Sequence, residues 1–329
     1  MNEPICNRRH LLTAAALLSL HPAMAHAESG AWPQRPLKLV VPGPPGAGSD
    51  IFARLLAVNL QEALGQPVVV DNRAGANGLI GNEAVARAAA DGYTLLLSPS
   101  SAIAINPVIQ PRMPYDARKD LQPVAQVGSA GVLLVAHPAT GLRSLADLVR
   151  AARAQPDRIA YGSWGSGSTG HLVMEGIKAE YGLVMPHVPY KGVSPLVADL
   201  LANTIGVGFV DIASPVPHIR AGKLVALGCT GSARGPALPE LPTLTEQGYR
   251  FDVDGWYGVF VPAGTPPAVV QRLNREINRI LATPEVVQKF AAQNMPRPPL
   301  KSAEEFSATV WRDMDSWQAL ARTARLRVE

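Results

Sequence analysis

Leu37-Lys38-Leu39-Val40-Val41 runs straight into Pro42-Gly43-Pro44-Pro45-Gly46-Ala47-Gly48-Ser49-Asp50. A short apolar run stopped by proline and glycine is what a strand buried on both faces looks like. The turn then hands over to a helix. Ser49-Asp50 can cap one, and Ile51, Leu55 and Val58 fall on one side of the stretch to about Leu64. Strand, glycine-rich turn and helix together form the unit of an α/β architecture with mostly parallel sheet. Outward from it, Val68 to Val70 and Tyr93 to Leu97 read as further strands, with the helix Leu79 to Ala90 between them.

A second set follows the same grammar. Val132 to Val135 reads as a strand, and Ser144-x-x-Asp147 has the form of a capping box opening a helix to about Arg153. Ile159 to Ser163 is a strand that ends in a Gly/Ser loop, with a helix from about Thr169 to Tyr181 behind it. Ser194 to Leu201 predicts a helix, Gly206 to Val210 and Leu224 to Cys229 predict strands, and Gly255 to Val261 returns as a strand. Thr265-Pro266-Pro267 starts a long helix to Leu281, with proline where a helix start tolerates it, and Ser302-x-x-Glu305 opens the last one. Two such sets imply two α/β domains with breaks near Val127-Gly128-Ser129 and Gly228-Cys229-Thr230. Residues 28–128 then form the first part of domain 1, and 129–228 form domain 2. Residues 229–329 supply a crossover and a C-terminal part that packs mainly on domain 1.

Ahead of the first set, residues 1–27 have the layout of a secretory signal peptide. Arg8 and Arg9 precede the apolar run Leu11 to Leu20, and Ala25-His26-Ala27 places small residues at the cleavage site. The run is too short to span a bilayer core of roughly 30 Å. The mature chain is expected to be exported, in a bacterium to the periplasm. Cleavage after Ala27 leaves only Cys229 of the two cysteines, which excludes an internal disulfide and a cysteine-based metal site. Of 329 residues 5% are aromatic, the net charge is +4, and no Lys/Arg block occurs, so nucleic-acid binding is not expected. The mildly positive field favours anionic solutes.

Two loops carry the chemistry: Pro42 to Asp50, and Gly162-Ser163-Trp164-Gly165-Ser166-Gly167-Ser168-Thr169. A glycine-rich loop at a helix start offers unpaired backbone N–H groups at the positive end of the helix dipole, so an anion binds there without a charged side chain. Two such loops, one per domain, suit a carboxylate held in a cleft; for either alone, a tight turn that needs glycine is an equal alternative. Gly165-x-Gly167-x-x-Gly170 matches the dinucleotide fingerprint literally, but no strand downstream ends in a ribose-binding acid. Gly43 to Ser49 has P-loop spacing without the lysine, and Asp50 there would repel phosphate. No cofactor is therefore expected. There is no Gly-x-Ser-x-Gly elbow, and His171, His187 and His218 lack zinc-site spacing, so hydrolase and metal chemistry are disfavoured. Asp211, just after an apolar strand, either meets a ligand amine or hydroxyl or caps the helix that follows.

Taken in order, these residues resemble the Bug receptors, the extracytoplasmic solute receptors of tripartite tricarboxylate transporters. The likeness is carried by Pro36 to Pro42 with Pro44-Pro45-Gly46 and Ser49-Asp50, by Gly65-Gln66-Pro67, Asn72-Arg73 and Ala89-Ala90-Asp91-Gly92-Tyr93, and by Pro114-Tyr115-Asp116. It continues through Tyr161-Gly162-Ser163, His187-Val188-Pro189-Tyr190-Lys191-Gly192, Ala221-Gly222-Lys223-Leu224 and Pro262-Ala263-Gly264-Thr265-Pro266. The resemblance implies a two-domain periplasmic binding protein (Venus-flytrap) fold with a ligand cleft between two α/β domains. It implies a ligand carboxylate held by backbone groups of the first loop and by Ser/Thr of the second. Carried onto this chain, the ligand-binding candidates are Pro45, Gly46, Ala47, Ser49, Asn77, Ser98, Ser100, Ser163, Trp164, Ser168, Thr169, Lys191 and Asp211.

Two departures stand out. Gly43 occupies a position that is usually a bulky aromatic in such receptors, and Trp164 one that is mostly small or proline. The indole is expected to fill the space that Gly43 vacates. The expected function is capture of a small carboxylate by domain closure, as a monomer, for a membrane permease or a signalling partner. A periplasmic hydrolase is the alternative from another class.

Overall fold

The computed structural model describes Trp32 to Ala324, apart from Pro111, Ser232 and residues 250–254; residues 1–27, expected above to be a signal peptide, lie outside the described residues. In chain order the main elements are β1 (Leu37–Val41), α1 (Gly48–Leu64), β2 (Val68–Asn72), α2 (Leu79–Ala86), β3 (Thr94–Pro99), β4 (Leu121–Ala130), β5 (Leu133–Ala136) and α3 (Leu145–Ala154). They continue with β6 (Tyr161–Ser163), α4 (Thr169–Tyr181), β7 (His187–Pro189), α5 (Val193–Leu201), β8 (Val207–Val210), α6 (Val216–Arg220) and β9 (Val225–Cys229). The last are β10 (Gly255–Pro262), α7 (Pro267–Ala282), α8 (Pro284–Ala292) and α9 (Ala303–Ala324).

Two five-stranded sheets result, with orders β2-β1-β3-β10-β4 and β7-β6-β8-β5-β9. Each has three parallel strands followed by a strand that runs antiparallel to both its neighbours, β10 in the first and β5 in the second. The sheets are therefore mixed rather than mostly parallel. The cause is the crossing of the chain: β4 ends in the first sheet at Ala130, and β5 begins in the second at Leu133. β9 ends the second sheet at Cys229, and the chain returns to the first as β10. The two crossings touch. Val132 N–H donates to Thr230 Oγ1 at 2.7 Å, Thr230 N–H donates to Val132 O at 2.9 Å, and a Cβ at Gly131 would lie 1.8 Å from Thr230 O. Only glycine permits that approach.

Three local expectations need correction. The N-cap of α1 is Ala47 and not Ser49-Asp50; Asp50 lies in the first turn and accepts the Gly46 N–H at 2.9 Å. The buried face of α1 is centred on Phe52, Leu56 and Leu60, with Ile51 and Leu55 half-buried at its edge, whereas Val58 is 73% exposed. The helix α2 stops at Ala86, before Ala90. One of the two capping boxes is complete: Ser302 and Glu305 exchange bonds at 2.9 and 3.1 Å, whereas Ser144 Oγ accepts the Asp147 N–H at 3.1 Å but the Asp147 carboxylate takes its return bond from Arg143 N–H at 3.0 Å.

Apolar burial fixes the lobes. In lobe 1 the Phe52, Leu56 and Leu60 face of α1 meets Leu273 and Ile277 of α7 across β1 and β3. On the other face of that sheet, Phe306 of α9 packs against Trp256 and Phe260 of β10. In lobe 2 a β5, β6 and β8 core is covered by α4 on one side and α5 on the other. No helix among the described residues is long and apolar enough to cross a membrane.

Candidate functional site

Loops at strand ends of both sheets converge on one cavity of about 90 Å³. Its walls come from the first loop (Pro42, Gly43, Pro44, Ala47, Gly48, Ser49), the segment after β2 (Ala74, Gly75, Asn77, Gly78) and the end of β3 (Pro99, Ser100, Ser101). Lobe 2 contributes Trp164, Thr169, Lys191, Gly192, Val193 and Asp211, and the crossings contribute Gly131, Val132, Gly255, Trp256 and Tyr257.

The first loop is held from below. Asp50, nine-tenths buried, accepts from Gly46 N–H and pairs with Arg54 at 2.9 Å. Burial opposes its charge, but the Arg54 guanidinium and the Gly46 and Asn72 bonds outweigh it and hold the carboxyl below the usual range. Ala47 N–H closes the turn on Pro44 O at 3.2 Å. Ser49 N–H, in the first turn of α1, has no partner among the described residues, as the geometry of a helix start dictates.

The second loop is held by two histidines. Ser163 Oγ–H donates to Gly165 O at 3.0 Å, so the 2.8 Å contact with His187 Nε2 is one in which the imidazole donates. Gly167 N–H donates to His171 Nδ1 at 2.9 Å. The rings of His171 and His187 stack at 4.0 Å and 11°. Burial, and then the neighbouring His171, push His187 down to about 4; burial also lowers His171, against the pull of Glu175. Both rings are thus neutral braces for the loop. At its end Ser168 caps α4, leaving the Thr169 N–H at the helix start without a partner among the described residues.

Eight of the thirteen residues singled out in the sequence line the cavity: Ala47, Ser49, Asn77, Ser100, Trp164, Thr169, Lys191 and Asp211. Five do not, and each has a physical reason. Pro45 and Gly46 are exposed at the outer tip of the first loop. Ser98 is fully buried and bonds to Asn82 Oδ1 at 3.0 Å beneath the cavity floor. Ser163 and Ser168 are fully buried inside the second loop, which they shape.

Asp211 does not cap α6, whose N-cap is Pro215; it braces the turn after β8 and clasps the first loop. Its Oδ1 accepts from the N–H groups of Ala213 and Ser214, each at 2.8 Å, and its Oδ2 from the Ser214 hydroxyl at 2.7 Å. The same Oδ2 reaches across the cleft to Gly48 N–H at 3.2 Å. Ser194 Oγ donates to Pro45 O at 2.8 Å, a second bond between the lobes. Trp164 and Gly43 border the same cavity, but a Cβ at Gly43 would point at Ser49 Oγ, 2.7 Å away, and no atom of the indole lies within 4 Å of that position.

Sequence alone missed Trp256, Tyr257, Gly131 and Val132. They lie on the crossings, and nothing local in an apolar strand such as Gly255 to Val261 marks which face meets a cleft.

Residues 52–323 match the family described as the tripartite tricarboxylate transporter family receptor. Protein BugT of Bordetella pertussis is 39% identical over 300 residues, covering 91% of this chain and 92% of that protein. The structure of R. palustris Rpa4515 with adipate superposes with a TM-score of 0.86 at 33% identity, covering 90% of this chain and 99% of that one. That of the periplasmic binding protein BugD gives 0.85 at 30% identity, covering 91% and 100%.

Proposed function

The chain belongs to the tripartite tricarboxylate transporter receptor family, a family of periplasmic solute-binding receptors, and on that premise we propose that it captures one small carboxylate by closing its two lobes. One observation carries the proposal. Two helix starts, α1 from lobe 1 and α4 from lobe 2, meet at a single cavity, each with a backbone N–H that has no partner among the described residues, at Ser49 and Thr169. Aligned peptide dipoles make such an end a site for negative charge, and the hydroxyls of Ser49 and Thr169 add donors beside it. A cleft that is complete only when the lobes meet binds its solute by closing, so binding and conformational change are one event. The adipate held by the R. palustris relative is of the same ligand class.

No catalytic role is proposed. Among the described residues the Ser–His side-chain contact is Ser163 with His187; it lies inside the second loop and not on the cavity, and its serine hydroxyl is fully buried and donated to Gly165 O, the wrong direction for an activated nucleophile. Cleavage after about Ala27, periplasmic delivery and a membrane permease as the docking partner belong to the same proposal.

A thermal-shift screen of the mature chain against about a hundred carboxylates and nucleotides tests it. A binder at 100 times its Kd adds about 2.7 kcal/mol of stability, a readable shift in Tm. Shifts confined to carboxylates support the proposal; shifts by nucleotides alone would sink it.

A further inference from the structure

We propose that Tyr257, on the strand that brings the chain back from lobe 2, is a ligand-contacting residue whose phenolic O–H donates to the carboxylate seated at the start of α1. The inference rests on the carboxylate reading above and adds to it a side chain that neither loop contains.

The ring is fixed. Tyr257 sits in β10 between Pro99 of β3 and Gly128 of β4, packs against Phe52 with centroids 5.3 Å apart, and is 8% exposed. The residue nonetheless lines the cavity, and its hydroxyl has no hydrogen-bond partner among the described residues. The hydroxyl is not sealed in the core: it opens on the cavity, where it can donate to whatever enters.

The surroundings say which partner. A Cβ built at Gly48 would lie 2.8 Å from Tyr257 Oη and 2.6 Å from Asp211 Oδ1, which puts the phenol against the first turn of α1. The unpaired N–H and hydroxyl of Ser49 belong to that same turn. Ser49, with its N–H and hydroxyl, and Tyr257 border the same cavity at the start of α1, and donors at a helix start suit an anionic acceptor. Asp211 does not fill that role, because its two oxygens already take four bonds. Burial and the nearby Asp211 carboxylate push the phenol well above its ordinary value, so it stays a donor throughout the physiological range. Gly48 is then a packing requirement: any side chain there would fill the space between phenol, carboxylate and helix start.

Calorimetric titration of the wild-type chain and of Tyr257→Phe with malate, adipate, hexanoate and benzoate tests this. The phenyl ring preserves the packing on Phe52, so the free variant should melt within a degree or two of wild type. Each acid that wild type binds should bind the variant about tenfold to a hundredfold more weakly, the range for a hydrogen bond to a charged acceptor. Affinities within twofold of wild type would overturn the proposal, as would an effect confined to the Tm of the free protein, which would make Tyr257 a support for Asp211. If wild type binds neither these four acids nor any carboxylate of the thermal-shift panel, the carboxylate reading has failed and the role of Tyr257 falls with it.

Discussion

Asp211→Asn separates the two jobs that one carboxylate performs. The amide oxygen can still accept from Ala213 and Ser214 N–H, so the turn after β8 keeps its brace. The amide NH2 then faces Gly48 N–H, donor against donor, where wild type has a 3.2 Å bond between the lobes. The Ser214 hydroxyl can rotate to accept from that NH2, which leaves the cross-cleft bond as the loss. A hydrogen bond to a charged acceptor contributes about 1.5–3 kcal/mol, and only the closed form has this one. Closure should therefore become roughly tenfold to a hundredfold less favourable. When the free protein is mostly open, Kd for a carboxylate rises by the same factor, because the ligand must supply the missing free energy. Calorimetry measures the affinity, and small-angle scattering of the liganded chain measures closure. Unchanged affinity together with unchanged closure would refute the clasp and leave Asp211 as a brace of the turn after β8 alone.

Further outcomes follow from other contacts. Gly48→Ala places a methyl 2.6 Å from Asp211 Oδ1, and carboxylate binding should fall by more than tenfold with little change in the lobe cores, as a titration against wild type would show. Trp164→Ala should change the rank order of affinities across a carboxylate panel, since the indole forms part of the wall; identical affinities would defeat any role in shaping the site. Phe306→Ala should cost about 3–5 kcal/mol in denaturant unfolding, because the ring is fully buried against Trp256 and Phe260. For the histidines the sign is set by burial: the folded pKa of His187, about 4, lies below the unfolded value near 6.5, so the folded state binds fewer protons. Stability is complete above about pH 6.5 and is lost as pH falls towards 4. His187→Gln, which keeps a donor for Ser163, should flatten the Tm–pH curve in that window.

The two strand–loop–helix units that build the cavity were legible because their signals are local. Apolar runs ending in Pro-Gly-Pro-Pro-Gly and Gly-Ser-Trp-Gly-Ser-Gly announce turns at helix starts, and Ser49, Trp164 and Thr169 came with them. β4 was not legible, since Gln122, Pro123, Gln126 and Gly128 break its apolar pattern and its pairing with β10 carries two register shifts. β7 has three residues, too few for a period. Strand direction was misjudged for a related reason: β5 and β10 become antiparallel only because the chain crosses between lobes, a long-range fact with no local mark. The buried face of α1 was misassigned because apolar residues occupy more than one side, and only the neighbouring α7 decides which side packs. Ser163 and Ser168 were placed in the cleft because a hydroxyl in a loop looks the same in sequence whether it meets a ligand or, as here, its own backbone.

The most direct measurement is a crystal structure of the mature chain with whichever carboxylate gives the largest thermal shift. The expected result is one carboxylate group bridging the lobes, within hydrogen-bond distance of Ser49 N–H on α1 and of Thr169 on α4. A bound acid outside the cleft, or one touching a single lobe with the other swung away, would contradict capture by closure.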